Sequence, residues 1–169
     1  MRTSNFKRAA ASAALFLSFC LMAYAGVATF VAPAFAKMRT DRLMIEPAGG
    51  GAGRGIEIEV ADTDQEKALG LMYRTKLADT EGMLFFYGQA RDITMWMRNT
   101  YIALDMVFIR EDGTIYRIET NAEPLSERII AAGAPVVAVL ELAGGSTNRL
   151  GIKPGDRIKH PSFQATPLP

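Results

Sequence analysis

"ALDMVFIREDGTIYRIET" spans Ala103–Thr120, and its reading decides the fold. Leu104, Met106 and Phe108 alternate with Asp105, Val107 and Ile109, so the period is two and the segment reads as a strand. Asp112-Gly113 follows, the residue pair that supplies the positive φ angles of a tight hairpin turn. "TIYRIET" then resumes the alternation, which predicts two antiparallel strands joined by a short turn.

Working outward, the same period recurs. "GIEIEVA" (55–61), "GMLFFY" (82–87), "ITMWMRNT" (93–100) and "PVVAVLELA" (135–143) read as strands, and Pro154-Gly155 marks a turn before a last short strand, "DRIKH" (156–160). One stretch departs from it. In "TDQEKALGLMYR" (63–74), Thr63 and Glu66 have capping-box spacing, Asp64 suits the positive end of a helix, and Ala68, Leu69 and Met72 offer an apolar side. "GGSTNRLG" (144–151) fits a helical turn. The expected fold is mainly β with one short helix: a small, curled, largely antiparallel sheet, barrel-like or a sandwich.

The chain of 169 residues is of one-domain length, and its ends differ in character from its middle. Arg2, Lys7 and Arg8 precede an uncharged run from Ala9 to Ala36 that ends in Ala34-x-Ala36, the pattern of a secretory signal peptide. The apolar part, residues 9–31, is also long enough to serve as an N-terminal membrane anchor, so residues 1–36 carry both readings. "LSFC" places Phe19 where a lipoprotein signal wants a small residue before Cys20. In either reading the folded part is expected to be exported, periplasmic or otherwise extracytoplasmic, with residues 9–31 able to hold it to the inner membrane. Residues 37–55, with "PAGGGAGRG", read as a flexible glycine-rich linker, residues 56–160 as the β domain, and residues 161–169 as an irregular tail.

Composition narrows the chemistry. Cys20 is the single cysteine, so the expected domain has neither a disulfide nor a thiol nucleophile. Setting aside the three basic residues of the leader, sixteen of the nineteen Lys and Arg face eighteen Asp and Glu, a balance that gives no polybasic footprint for nucleic acid.

The strand and turn motifs together resemble a known family. "ALGLMYR", "GMLFFY", "MWMRNTYIALDMVFI", "DGTIYRI", "VLELAGG" and "GIKPGD" occur in the order of the domain of unknown function 192 family, also called uncharacterised protein family 0127. The likeness covers roughly Ile56 to Lys159. It implies a compact, mainly β domain of a kind often exported or membrane-anchored in prokaryotes, and it implies no activity. Two departures stand out: Met95 replaces the family's usual aromatic and Arg98 its lysine, while Ala103 stands where the family has proline.

Several residues could carry chemistry. Alternation puts Met95, Met97 and Asn99 on one side of their strand and Trp96, Arg98 and Thr100 on the other. A tryptophan beside a guanidinium can stack on a ring or sugar and hold an anionic group, or can simply pack and pair. Asp105, among apolar neighbours, needs partners, for which Arg98, Arg74, the Asn99 amide and backbone N–H groups are candidates. Glu141 poses the same problem in "VVAVLELA", and the two acids with two arginines suggest one polar cluster at a barrel end.

Met95-x-Met97 offers two thioethers to Cu(I), against the plainer reading of methionine as core filler. His160 is the only histidine, which disfavours histidine-based metal sites and Ser–His relays. No cofactor is implied. The sequence thus points to a module binding a small molecule or an envelope component through Arg74, Trp96, Arg98, Asn99, Thr100 and Asp105. The alternatives are an enzyme using Asp105 and Glu141 on envelope glycans or a small metabolite, and a structural or assembly factor.

Overall fold

The structure, a computed structural model, describes residues 38–163. In chain order the elements are β1 (Arg39–Glu46), β2 (Arg54–Ala61), α1 (Asp64–Leu69), β3 (Glu81–Met95), β4 (Leu104–Ile109), β5 (Ile115–Ala122), β6 (Ile130–Ala143), α2 (Ser146–Leu150) and β7 (Arg157–Lys159). A 3-10 turn over Pro161–Phe163 follows.

The strands form one sheet in the order β5-β4-β6-β3-β2-β1-β7. All neighbours are antiparallel except β2 and β3, whose connection runs through α1. The sheet curls until its edges meet. Ile115 N donates to Asp156 O at 2.8 Å, Gly155 N to Ile115 O at 2.9 Å, and Ile158 N to Gly113 O at 2.8 Å, tying the turn before β5 to β7. This contact covers the start of β5 and the short β7, which shortens the unpaired edges of the sheet. The fold is therefore mainly β and barrel-like, as its alternation predicts, with two short helices where one was expected.

Alternation divides the apolar residues between two cores. The first draws on every strand, with Leu43 and Ile45 from β1, Ile58 from β2, Leu84 from β3, Val107 from β4, Ile115 from β5, Leu140 from β6 and Ile158 from β7, and so fills the inside of the curl. The second lies on the opposite face of β3, β4 and β6. There Met83, Phe85, Met106, Phe108 and Val139 are covered by Leu69, Leu71, Met97 and Ile102 from the connecting segments. This outer layer is what positions the site.

Three local expectations need revision. The first is the linker. The glycine-rich stretch is only the β1–β2 turn: β1 lies inside residues 37–55 and pairs with β2 from Arg39↔Val60 to Ile45↔Arg54. Leu43 and Ile45, each 1% exposed, alternate with the more exposed Arg42, Met44 and Glu46, and burying two such side chains is worth about 2 kcal/mol each. Eight residues gave too short an apolar pattern to stand out.

The second is the strand predicted over 93–100. Residues 82–87 and 93–95 belong to one long strand, β3, interrupted by bulges between Phe86 and Arg91 and between Asp92 and Thr94. Trp96–Thr100 is a loop. Thr100 N donates to Met97 O at 3.0 Å, and Asn99 takes a φ of +56°, the left-handed conformation that asparagine tolerates better than most side chains. The third is the tail, of which Pro161–Phe163 is ordered against Phe86 and His160. The leader readings for residues 1–36 and the remaining tail lie outside the described residues.

The capping box of α1 forms as expected. Thr63 Oγ1 accepts from Glu66 N at 3.2 Å, and Glu66 Oε2 accepts from Thr63 N at 2.8 Å. These bonds from the Thr63 backbone and hydroxyl hold the Glu66 carboxyl below its ordinary range. Gly70 closes the helix at a φ of +49°, letting the chain turn over Phe85, whose ring would lie 3.1 Å from any Cβ there.

A recess with a buried acid at its floor

Register places the two acids. Asp105 pairs with Leu142 across β4 and β6, whereas Glu141 pairs with Met106, so their side chains leave opposite faces of the sheet. The polar cluster expected from both acids does not form, and no single cleft sees both.

Asp105 is fully buried, and each carboxyl oxygen has two donors. Oδ1 accepts from Asn121 N at 2.8 Å and Gly145 N at 2.9 Å; Oδ2 accepts from Thr147 N at 2.9 Å and Thr147 Oγ1 at 2.6 Å. Gly145, at a φ of +78°, caps α2 without a side chain of its own, so Asp105 takes the exposed N–H groups of that turn from across the sheet. Of the candidate partners, backbone N–H groups hold it, joined by the Thr147 hydroxyl, and neither arginine nor the Asn99 amide does. These donors come from β5 and from the turn at α2, whose proximity only the folded sheet creates.

Arg74 is occupied as well, with Nη2 at 2.7 Å from both carboxyl oxygens of Glu59. The Asn99 side-chain amide donates towards the Met72 sulfur at 3.8 Å, and the Asn99 main-chain carbonyl accepts from Tyr73 N at 2.8 Å. Arg74 is thus tied to β2, and Asn99 ties its loop to the turn after α1.

Glu141 is the acid that faces outward, into a shallow recess with about 30 Å³ of water-accessible space. Lys67, Met72, Phe85, Met95, Trp96 and Arg98 contribute to its wall together with Thr100, while Glu141 closes its floor. Glu141 is 4% exposed, and Met83 of β3 and Met106 of β4 flank it at register positions on either side. Its carboxyl has no hydrogen-bond or ion-pair partner among the described residues. Burial alone pushes it up to about 8, so at neutral pH it holds its proton. The same burial, together with the nearby Glu141, raises the Tyr87 hydroxyl, while Arg91 opposes the shift.

The rim is different in kind. Trp96, the single tryptophan, is 45% exposed, and the Arg98 guanidinium lies 5.5 Å from its ring centre. Arg98 makes no ion pair among the described residues. Thr100 is buried, with its hydroxyl 3.4 Å from the Arg98 carbonyl. Of the predicted residues, the structure therefore brings Trp96, Arg98, Thr100 and Glu141 to one place and leaves Arg74, Asn99 and Asp105 outside it.

The methionines also separate. Met97 is sealed in the outer core, while Met95 lines the recess and its sulfur takes the Tyr87 hydroxyl at 3.9 Å. The pair Met95-x-Met97 thus does not present two thioethers to one open site. No grouping of three or more His, Cys, Asp or Glu suited to a metal occurs among the described residues. His160 is buried against Phe163, with Nε2 3.2 Å from Asp41 Oδ2. Sequence reasoning missed Lys67, Met72 and Phe85; α1, the turn after it and β3 supply them, and no spacing announces their meeting.

The family model for DUF192, described as uncharacterised, matches residues 45–160. Among solved structures, a Sinorhizobium meliloti 1021 protein described as a candidate transcription regulator is 43% identical over 75% of this chain and 97% of its own, with a TM-score of 0.72. A protein of unknown function from Novosphingobium aromaticivorans DSM 12444 is 38% identical over 75% of this chain and 89% of its own, with a TM-score of 0.70. No curated protein matches.

Proposed function

The chain belongs to the DUF192 family, and we propose that its domain is an exported small-ligand binding module whose site is the recess between Glu141 and the Trp96–Arg98 rim. One observation carries the reading. The Glu141 carboxyl has no protein donor, and a polar group left unsatisfied on burial costs about 1–3 kcal/mol unless solvent or a guest supplies the partner. Here that group ends an open recess, beside an exposed aromatic and an unpaired cation. Small-molecule sites have this composition, apolar walls with a few convergent polar groups and a perturbed acid.

The two-acid enzyme is disfavoured by register, since acids on opposite sheet faces cannot flank one glycosidic bond. A role on nucleic acid, as the Sinorhizobium protein's description would suggest, lacks support in the near-neutral charge. Export rests on the leader's pattern, and the mass of the mature protein tests it: cleavage after Ala36 gives a chain starting at Lys37, and retention gives a membrane-bound one.

Native mass spectrometry of the protein purified gently from its exporting host tests the site. A co-purifying mass lost in Trp96→Ala and Glu141→Gln, but kept in Asp105→Asn at a temperature where that variant is folded, supports the reading. A mass kept in the first two variants contradicts it.

A further inference from the structure

Resting on that reading, the inference concerns which ligand the recess takes. Its floor and rim have opposite character. The floor offers one carboxyl with no donor of its own, 4% exposed and set among the side chains of Met72, Phe85 and Met95. The rim offers Arg98 without an ion-pair partner, and Lys67, whose Nζ donates to the Asp62 carbonyl at 2.8 Å and lies 5.2 Å from the Tyr87 ring centre. A purely anionic guest would satisfy Arg98 and meet an acid below. A purely cationic guest would satisfy Glu141 and pass two like charges on entry. A guest bearing both charges satisfies both ends and leaves no buried charge unpaired.

We propose that the recess binds a small zwitterion of the amino-acid type, with its ammonium group on the Glu141 carboxylate and its acid group on the Arg98 guanidinium. The methylenes between the two charges lie against Trp96, Met72 and Met95. The water-accessible space of the recess is about 30 Å³, room for an ammonium group at the floor, so the rest of the guest lies over the exposed rim.

The other charges facing Glu141 are already matched. Along its row of the sheet, Glu59 on β2 is paired with Arg74, and Glu119 on β5 with Arg117 and Arg128. β3 contributes Met83, Phe85 and Tyr87, with Arg91 stacked on Tyr87 at 4.6 Å, and β4 contributes Met106. α1 supplies Lys67 and the 96–100 loop Arg98. Glu141 is therefore the one acid of its row without a cation, and the guest supplies it.

Linkage gives the sign. Without a guest, burial keeps Glu141 protonated up to about pH 8. Pairing with an ammonium group requires the ionised form, so binding releases a proton and tightens as pH rises towards 8.

Trp96 emission reads this directly. The probes share short carbon skeletons: glycine, β-alanine and 4-aminobutyrate as zwitterions, n-butylamine as cation only, and butyrate as anion only. At least one zwitterion is expected to bind tenfold or more tightly than both single-charge probes. Its affinity should rise about tenfold per pH unit from 6 to 8 and then level off. Glu141→Gln should weaken it at least tenfold and abolish the pH dependence; Arg98→Met should weaken it comparably and keep that dependence.

Butyrate or butylamine binding as well as every zwitterion overturns the inference, as does affinity that falls with rising pH. Silence of the whole series, with another mass bound in native spectrometry, overturns it and leaves the ligand-binding reading standing. Silence in both removes the two together.

Discussion

Asp105 and Glu141 look alike in sequence, each a lone acid in an apolar strand, yet they do opposite work. Asp105 joins β4 to the α2 turn through three short bonds and to Asn121 of β5 through a fourth, so Asp105→Asn should lower stability by about 3 kcal/mol, the scale for breaking a buried, charge-assisted network, as thermal melting would show. Glu141 acts in the reverse sense. With its folded value raised to about 8 and its unfolded value near 4.5, the folded state holds a proton that the unfolded state has lost between those pH values. Stability therefore falls as pH rises through that window and levels off above it; from pH 7 to 9 the further loss is about 1 kcal/mol. Glu141→Gln should flatten that profile and melt higher than the parent at pH 9, and a variant as pH-sensitive as the parent would contradict the assignment. That each acid was exceptional is legible from its neighbours. Which one faces a guest depends on the register of β6 against β4, and no local pattern states that register.

At the scale of elements, the 96–100 loop carries the rim and α1 the opposite wall. Alternation read this loop as more strand because Ile93 to Thr100 keeps its period of two while the chain turns. The signal for the turn was Asn99 itself, a residue suited to φ above zero. Asn99→Gly should then melt within a few tenths of a kcal/mol of the parent and Asn99→Val about 1–2 kcal/mol lower, since a β-branched side chain resists that conformation. The Thr63 cap was legible outright, because a capping box is a local device. Thr63→Ala should cost about 1 kcal/mol in a denaturant melt, and would loosen the Lys67 side of the recess.

For the whole molecule, closure of the sheet is the point the sequence conceals. The hairpin at Asp112-Gly113 was readable from its turn, and so were most strands, but β1 looked like linker because its partners β2 and β7 lie far apart in the chain. A chain starting at Gly53 would lack Leu43, Ile45 and the strand joining β2 to β7. It should aggregate or unfold, whereas one starting at Lys37 should fold as a compact unit. Comparison of the two by circular dichroism and size-exclusion chromatography checks this, and a well-folded shorter chain would show that closure is dispensable. The interior of the curl is filled by side chains from all seven strands.

The account depends most on Glu141 being an unpaired acid that opens into the recess. Carbon-13 NMR titration of its carboxyl, assigned by loss of the signal in Glu141→Gln, measures that state without knowledge of any ligand. The expected midpoint is about 8. A midpoint near the ordinary glutamate value would mean that water or a cation already satisfies the group, and the recess would lose its claim to be a site.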